Sequence, residues 1–304
     1  QFKEMLFGAM DELTLGDPWE LSTSVGPVID TEARDGIMAY LSGCKIAKQL
    51  DMPETGLFVP PSVVEVSGIT ELEREIFGPV LHLATFEAGE IDNVISDINR
   101  TGYGLTFGLH TRIDSRVQEI VEQIECGNVY VNRNQIGAVV GSQPFGGEGL
   151  SGTGPKAGGP AYPLRFAKDG DLAGTAVREM SGPTGETNRL KLLARPPFLC
   201  LGPGEDTARA QAAAVRAKGG RATMAADMTP EELQQAEDLA GSLWWGDEES
   251  AQAFATALSK RSGPILPLIT GKPRRFEVLH ERHLCVDTTA SGGNAELLAE
   301  AGNA

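Results

Sequence analysis

EREIFGPVLHLATF, residues 73–86, is the stretch from which the fold can be read. Two carboxylates, Glu73 and Glu75, and the aromatic Phe77 lead into a Gly78-Pro79 turn. VLHLATF (80–86) then runs apolar and reads as a strand. Beyond it Ile91, Val94, Ile95 and Ile98 share one helical face, so residues 91–99 form a helix. A turn-rich stretch with a short strand, YGLTFGLHT (103–111), follows. The next helix, about residues 116–126, presents Val117, Ile120, Val121 and Ile124. Ser115 and Gln118 are placed as its capping box and Gly127 as its stop. NVYVN (128–132) is a buried strand. Strands alternating with helices make the chain α/β.

Working outward, residues 1–15 form a helix with Phe2, Met5, Leu6, Ala9 and Leu13 on one face, broken at Gly16-Asp17-Pro18. Residues 31–50 are helical behind an Asp30 N-cap, and LFVPPSVVEV (57–66) is a strand interrupted by its proline pair. Residues 137–174 hold 11 of the 37 glycines and form an irregular loop region with apolar residues interleaved. Residues 181–197 read as a connector. From 198 to 304 the α/β rhythm resumes. FLCLG is a strand, 205–218 an alanine-rich helix and RATMA a strand. Helices at 230–241, started by Thr229-Pro230, and at 247–261 follow, then strands ILPLI, FEVL and HLCVD. A last helix follows Gly292-Gly293-Asn294. The chain opens on Gln1 with a helical pattern already under way, as a piece of something longer would.

At 304 residues and 32.2 kDa the chain is sized for about two domains. With 41% hydrophobic and 22% charged residues it is globular rather than disordered. No apolar run reaches the ~20 residues of a membrane span. A net charge of −16, concentrated in the first hundred residues, argues against a nucleic-acid partner. The four cysteines, Cys44, Cys126, Cys200 and Cys285, include no CxxC pair. They read as buried reduced thiols suited to a cytoplasmic protein, with Cys44 on the helix face of Ile37, Tyr40 and Leu41.

Several motifs invite chemistry. A GxGxxG at Gly147, Gly149 and Gly152 lacks the flanking strand and helix that a dinucleotide fingerprint needs. Gly202 and Gly204 do lie between strand and helix, but Glu205-Asp206 would oppose a phosphate there, so the reading is a Rossmann-like fold without nucleotide. His280 and His283 form an HxxH read as a strand-end pair without metal. Glu75 and Phe77 have the chemistry to accept ribose hydroxyls and to pack on a ring. Composition alone makes Glu71, Glu73 and Glu75 a solvated acidic face and Phe77 a core residue.

At EIFGPV (75–80) the sequence resembles the aldehyde dehydrogenase superfamily. The GDP turn (16–18), VGPVID (25–30), YGL (103–105), GNVYVN (127–132) and PFGG (144–147) match in the same order, covering residues 1 to about 176. SGTGPKAGG (151–159) and AYPLRF (161–166) look like the glutamate-semialdehyde branch. SGPTGETN (181–188) and HERHLCVDTTASGGNA (280–295) resemble the end of the long-form, bifunctional proline utilization A family.

The resemblance implies the C-terminal part of an aldehyde dehydrogenase catalytic domain (1–163), an oligomerisation strand (164–180), a linker (181–197) and an appended noncatalytic Rossmann-like domain (198–304). It implies NAD-dependent oxidation of L-glutamate γ-semialdehyde to L-glutamate, after FAD-dependent proline oxidation elsewhere in the parent chain. Glu75 matches the acidic residue on the nicotinamide ribose and Phe77 the aromatic beside it. Gly158 and Gly159 match the loop whose N–H groups hold the substrate α-carboxylate, and Phe166 matches an aromatic flanking the substrate's aliphatic part. The family's nucleophilic cysteine, general-base glutamate and oxyanion asparagine match nothing here and are expected upstream. The implied partners are the semialdehyde, the rest of the parent chain, and copies of itself in a homodimer or higher oligomer. A noncatalytic assembly fragment and a different semialdehyde dehydrogenase are the alternatives.

Overall fold

The computed structural model describes residues 1–135 and 139–288. The chain divides into two compact units, Gln1–Thr101 and Gly102–Ala304.

The first unit is built from α1 (Phe2–Asp11), α2 (Thr31–Leu41), β1 (Ile46–Gln49), β2 (Ser62–Glu65), β3 (Val80–Leu83) and α3 (Ile91–Arg100). Its sheet runs β1-β2-β3, antiparallel between the first two and parallel between the last two. Asp30 caps α2 as expected, accepting from the Ala33 N–H at 2.8 Å. The helix does not run to residue 50, however. It ends at Leu41, and after the Ser42-Gly43 turn IAKQ forms β1, where sheet pairing outweighs local helical spacing. Pro60-Pro61 precede β2 rather than interrupting it. The core gathers Ile37, Leu41, Val59 and Val64, with Ile76 and Val80 against it. The apolar face read on α1 is not core within this chain: Phe2, Met5 and Ala9 are exposed and Met10 is the buried residue.

The second unit opens with β4 (Tyr103–Gly104), β5 (Thr106–Leu109), α4 (Asp114–Gln123), β6 (Asn128–Val131) and β7 (Glu148–Gly149). The Ser115–Gln118 capping box does not form. Ile113 holds the N-cap position without a side-chain bond, and the helix ends before Gly127 because Ile124 turns extended into the core. β8 (Val177–Met180) and β9 (Glu186–Ala194) follow. The expected connector 181–197 is thus mostly strand, and the stretch 164–180 is irregular until β8, which pairs antiparallel with β9 of the same chain.

Next come β10 (Phe198–Cys200), α5 (Gly204–Ala217), β11 (Ala222–Met224), α6 (Pro230–Gln235), β12 (Gly241–Leu243), α7 (Glu248–Ser259), β13 (Leu268–Ile269), α8 (Arg275–Val278) and β14 (Leu279–Asp287). The parallel sheet β11-β10-β12-β13 has the order second-first-third-fourth, that of a doubly wound, Rossmann-related α/β fold of the flavodoxin-like type. Thr229 and Glu232 form a reciprocal capping box on α6. FEVL is not a strand: it lies in α8 and the start of β14, with the Glu277 carboxylate accepting from the Arg274 N–H at 2.7 Å. The terminal helix after Asn294 lies outside the described residues.

β14 crosses from the Rossmann-like segment into a five-stranded sheet of order β5-β6-β14-β9-β8. It runs parallel to β6 and antiparallel to β9. β6 is buried along its whole length, so its backbone and side chains are fixed on both sides.

Candidate functional site

Glu75 and Phe77 lie in the loop before β3. The backbone is anchored between them, because Ile76 packs on the core with Ile37 and Val80. At Gly78 a Cβ would come within 2.6 Å of Ile37 Cδ1, so the turn sits close against α2 and any larger residue would make the Ile37 side chain shift. The neighbours of Ile76 therefore face outward. Phe77 is 79% exposed, not a core residue, and Glu75 is exposed beside it. Glu71 closes this loop instead of joining an acidic face. It accepts from the Ser67 N–H at 2.7 Å and hydroxyl at 2.9 Å, which hold its carboxyl below the usual range. An exposed carboxylate two residues from an exposed ring suits a ribose and an attached flat ring.

Gly158, Gly159 and Phe166 belong to the second unit. Their loop is built on Asn128, the first residue of β6. The Asn128 amide Nδ2 donates to the Pro144 carbonyl at 2.9 Å, and its Oδ1 accepts from the Gly146 N–H at 3.1 Å. It also accepts from the Lys156 ammonium at 2.9 Å, and that ammonium donates to the Gly146 carbonyl as well. Phe145 and Ala157 exchange backbone bonds of 2.9 and 2.8 Å, tying PFGG to the loop. The two glycines differ. Gly158 is exposed, with φ +69, and its N–H meets no acceptor among the described residues. Gly159 is buried, and its N–H donates to the Lys156 carbonyl at 3.1 Å. Among the described residues the turn therefore leaves the Gly158 N–H without an acceptor and commits that of Gly159. Phe166 is 77% exposed and stacks edge-on with Tyr162, centroids 5.6 Å apart.

Sequence reading missed the charges beneath this loop. Lys156 is fully buried, and desolvation pushes its ammonium down to about 8. Glu281 on β14 accepts from the Lys156 backbone N–H at 2.8 Å, and burial pushes its carboxyl up. Glu148 pairs with Arg282 and lies 3.2 Å from His280 Nδ1. Lysine inside a glycine-rich run was the available signal; its burial depends on partners far away in sequence.

The other motifs resolve structurally. Gly149 pairs with Tyr103 in the β4–β7 ladder, and no helix follows the GxGxxG. At the β10–α5 turn the buried Gln211 amide accepts from the Gly202 N–H at 3.0 Å and donates to the Gly202 carbonyl at 2.8 Å, so protein fills the glycine turn. His280 and His283 lie within β14, both pushed down to about 3 chiefly by burial. Among the described residues no cluster of three or more His, Cys, Asp or Glu is placed to hold a metal. None of their helices is long and apolar enough to cross a membrane. Burial pushes the thiols of Cys126 and Cys200 up to about 11 and that of Cys285 to about 12, where a thiolate is scarce. Cys44 donates its S–H to the Tyr40 carbonyl at 3.3 Å.

Comparison with known proteins gives the context. Residues 1–168 match the model of the aldehyde dehydrogenase family. The chain is 34% identical, over an alignment 384 positions long with gaps, to the bifunctional protein PutA of Salmonella typhimurium, covering 97% of this chain and 29% of that protein. It is 39% identical over 158 residues to 1-pyrroline-5-carboxylate dehydrogenase 1 of Halalkalibacterium halodurans, covering 49% of this chain and 30% of that one. A crystal structure of Bradyrhizobium japonicum proline utilization A, mutant D779W, superposes with a TM-score of 0.52 at 48% identity, covering 54% of this chain and 17% of that one. The chain spans less than a third of the length of these curated relatives. A match over more than half of its residues, joined to a glycine loop locked onto β6, places it: the chain belongs to the aldehyde dehydrogenase family.

Proposed function

We propose that this chain is part of a longer NAD-dependent enzyme of proline catabolism in the cytoplasm that oxidises L-glutamate γ-semialdehyde to L-glutamate. The proline-oxidising, FAD-carrying half would lie elsewhere in that longer protein. The observation that carries the reading is Gly158, exposed and with no acceptor for its N–H among the described residues, in a turn where the Gly159 N–H is already bonded. An uncommitted backbone donor with no side chain over it is suited to a carboxylate oxygen. The 1-pyrroline-5-carboxylate dehydrogenase relative, whose name carries the cyclic form of this semialdehyde, gives the same substrate class.

In this reading Gly158 binds the substrate α-carboxylate, Gly159 shapes the turn, and Phe166 flanks the aliphatic chain. Glu75 accepts the hydroxyls of the nicotinamide ribose and Phe77 packs beside it. When bound, NAD supplies the hydride acceptor. The nucleophilic thiol comes from residues outside this chain, consistent with raised thiols at Cys126, Cys200 and Cys285. The contribution of this stretch is orientation, and a misplacement of about 1 Å can cost ~100-fold in rate.

Residues 198–304 take a noncatalytic role in lid formation and in assembly into a homodimer or higher oligomer. Gln211 filling the Gly202 turn favours this over a second nucleotide site. The test is NADH formation by the full-length protein with glutamate semialdehyde, succinate semialdehyde and butanal. Preference for glutamate semialdehyde is expected; preference for succinate semialdehyde, or no turnover of any aldehyde, overturns the proposal.

A further inference from the structure

Lys156 is a buried cation that no part of the proposed chemistry uses. A lysine is rarely taken wholly out of water unless its ammonium is held on several sides. Here two oxygens hold it, Asn128 Oδ1 and the Gly146 carbonyl. Both belong to the frame of the glycine loop: Asn128 also binds the Pro144 carbonyl and the Gly146 N–H. The backbone of the same lysine begins the turn at Gly158. Its carbonyl accepts from the Gly159 N–H at 3.1 Å, and its own N–H donates to Glu281 at 2.8 Å. One residue thus joins β6, PFGG, β14 and the turn.

We infer that Lys156 is a positioning residue that confers selectivity for aldehydes bearing an α-carboxylate. Its ammonium pins the Lys156–Gly159 turn to Asn128 so that the Gly158 N–H is held outward. The inference rests on the role proposed above for Gly158. An aldehyde without a carboxylate does not use that N–H, so loosening the pin penalises the two substrate classes unequally.

The charges around the ammonium are of both signs. Glu281 and Glu148 favour its protonation, Arg282 opposes it, and the Cys126 thiol beside it is neutral, pushed up to about 11. His280 and His283 on β14 are neutral as well. Desolvation outweighs the carboxylates, so the ammonium loses its proton near pH 8, and with it the charge-assisted strength of its bonds.

The experiment measures the ratio of kcat/KM for glutamate semialdehyde to kcat/KM for butanal in the full-length protein. Lys156→Met is expected to lower the ratio on the order of tenfold, with the loss in KM for the semialdehyde rather than in kcat. Lys156→Arg keeps the charge, does not titrate in this range, and is expected to restore the ratio. From about pH 7 to about pH 9.5 the wild-type ratio is expected to fall relative to that of Lys156→Arg, which corrects for any effect of pH on the substrate itself. Equal losses on both aldehydes, or a retained ratio in Lys156→Met, overturn the inference. If Lys156→Met does not fold, a wild-type ratio that runs parallel to Lys156→Arg over the pH range overturns it. A wild type that does not prefer the semialdehyde overturns the substrate reading itself, whereas a preference that survives in Lys156→Met removes only the role of Lys156.

Discussion

His283 Nε2 lies 3.1 Å from Asn188 Oδ1 between strands β14 and β9. The Asn188 amide is oriented by its Nδ2, which donates to Glu186 at 2.7 Å, so Oδ1 faces the imidazole and Nε2 carries the proton. Burial, with Lys156 and Arg133 adding to it, pushes His283 from 6.5 down to about 3. The unfolded chain therefore takes up this proton first as pH falls. The stabilising effect is full above about pH 6.5 and is lost progressively toward pH 3, by up to about 1.4 kcal/mol per pH unit. Urea unfolding at several pH values should show this decline, and His283→Asn should be less stable near neutrality but flatter in its pH dependence. Parallel curves for the two proteins would contradict the assignment.

Gly127 tests the frame of the glycine loop from the other side. A Cβ there would lie 2.2 Å from the Gly146 carbonyl oxygen and 2.8 Å from Lys156 Nζ. The first neighbour is backbone and cannot rotate away. Gly127→Ala should cost about 1–3 kcal/mol in denaturant unfolding, and should raise KM for the semialdehyde by displacing the loop. Unchanged stability would mean that the PFGG turn is not held as tightly as its bonds indicate.

Gln211 offers a third test. Its removal strands the Gly202 N–H in a buried turn, while the Gly202 carbonyl keeps the Trp245 N–H as its remaining donor. Gln211→Ala should destabilise the full-length protein by about 1–3 kcal/mol. It should not create nucleotide affinity, because Glu205 and Asp206 remain in the first turn of α5. Calorimetric titration with NAD that gained a second site in the variant would overturn the noncatalytic reading of this sheet.

Much of this architecture is legible in sequence where one local signal decides. β6 is an apolar run buried throughout, Asp30 caps α2, and Thr229-Pro230 starts α6. The failures share a cause. IAKQ continues the helical spacing of α2 and becomes a strand only because β2 pairs with it. ETNRLKLLA looks like a connector because its polar residues are satisfied by partners distant in sequence. Arg189 pairs with Glu179, and Arg133 pairs with Glu186. Phe77 looks like core by residue type, yet Ile76 takes the inward position. Lys156 is invisible for the same reason as β9: its bonds run to Asn128 and Glu281, separations of 28 and 125 residues.

Glu75 and Phe77 provide the sharpest test of the cofactor assignment because both are exposed. Neither holds the fold together, so Glu75→Gln and Phe77→Ala should shift stability by no more than about 0.5 kcal/mol. Glutamine keeps the size and an acceptor but loses the charge, and with it the stronger bond to ribose hydroxyls. A hydrogen bond to a charged group is worth about 1.5–3 kcal/mol, which corresponds to roughly a tenfold to hundredfold loss in kcat/KM for NAD. Phe77→Ala should lose less, because packing of one ring edge is partly replaced by water. KM for the aldehyde should hold in both variants, since neither residue belongs to the glycine loop. Wild-type kcat and KM for NAD in Glu75→Gln, at unchanged melting temperature, would remove Glu75 from the ribose site.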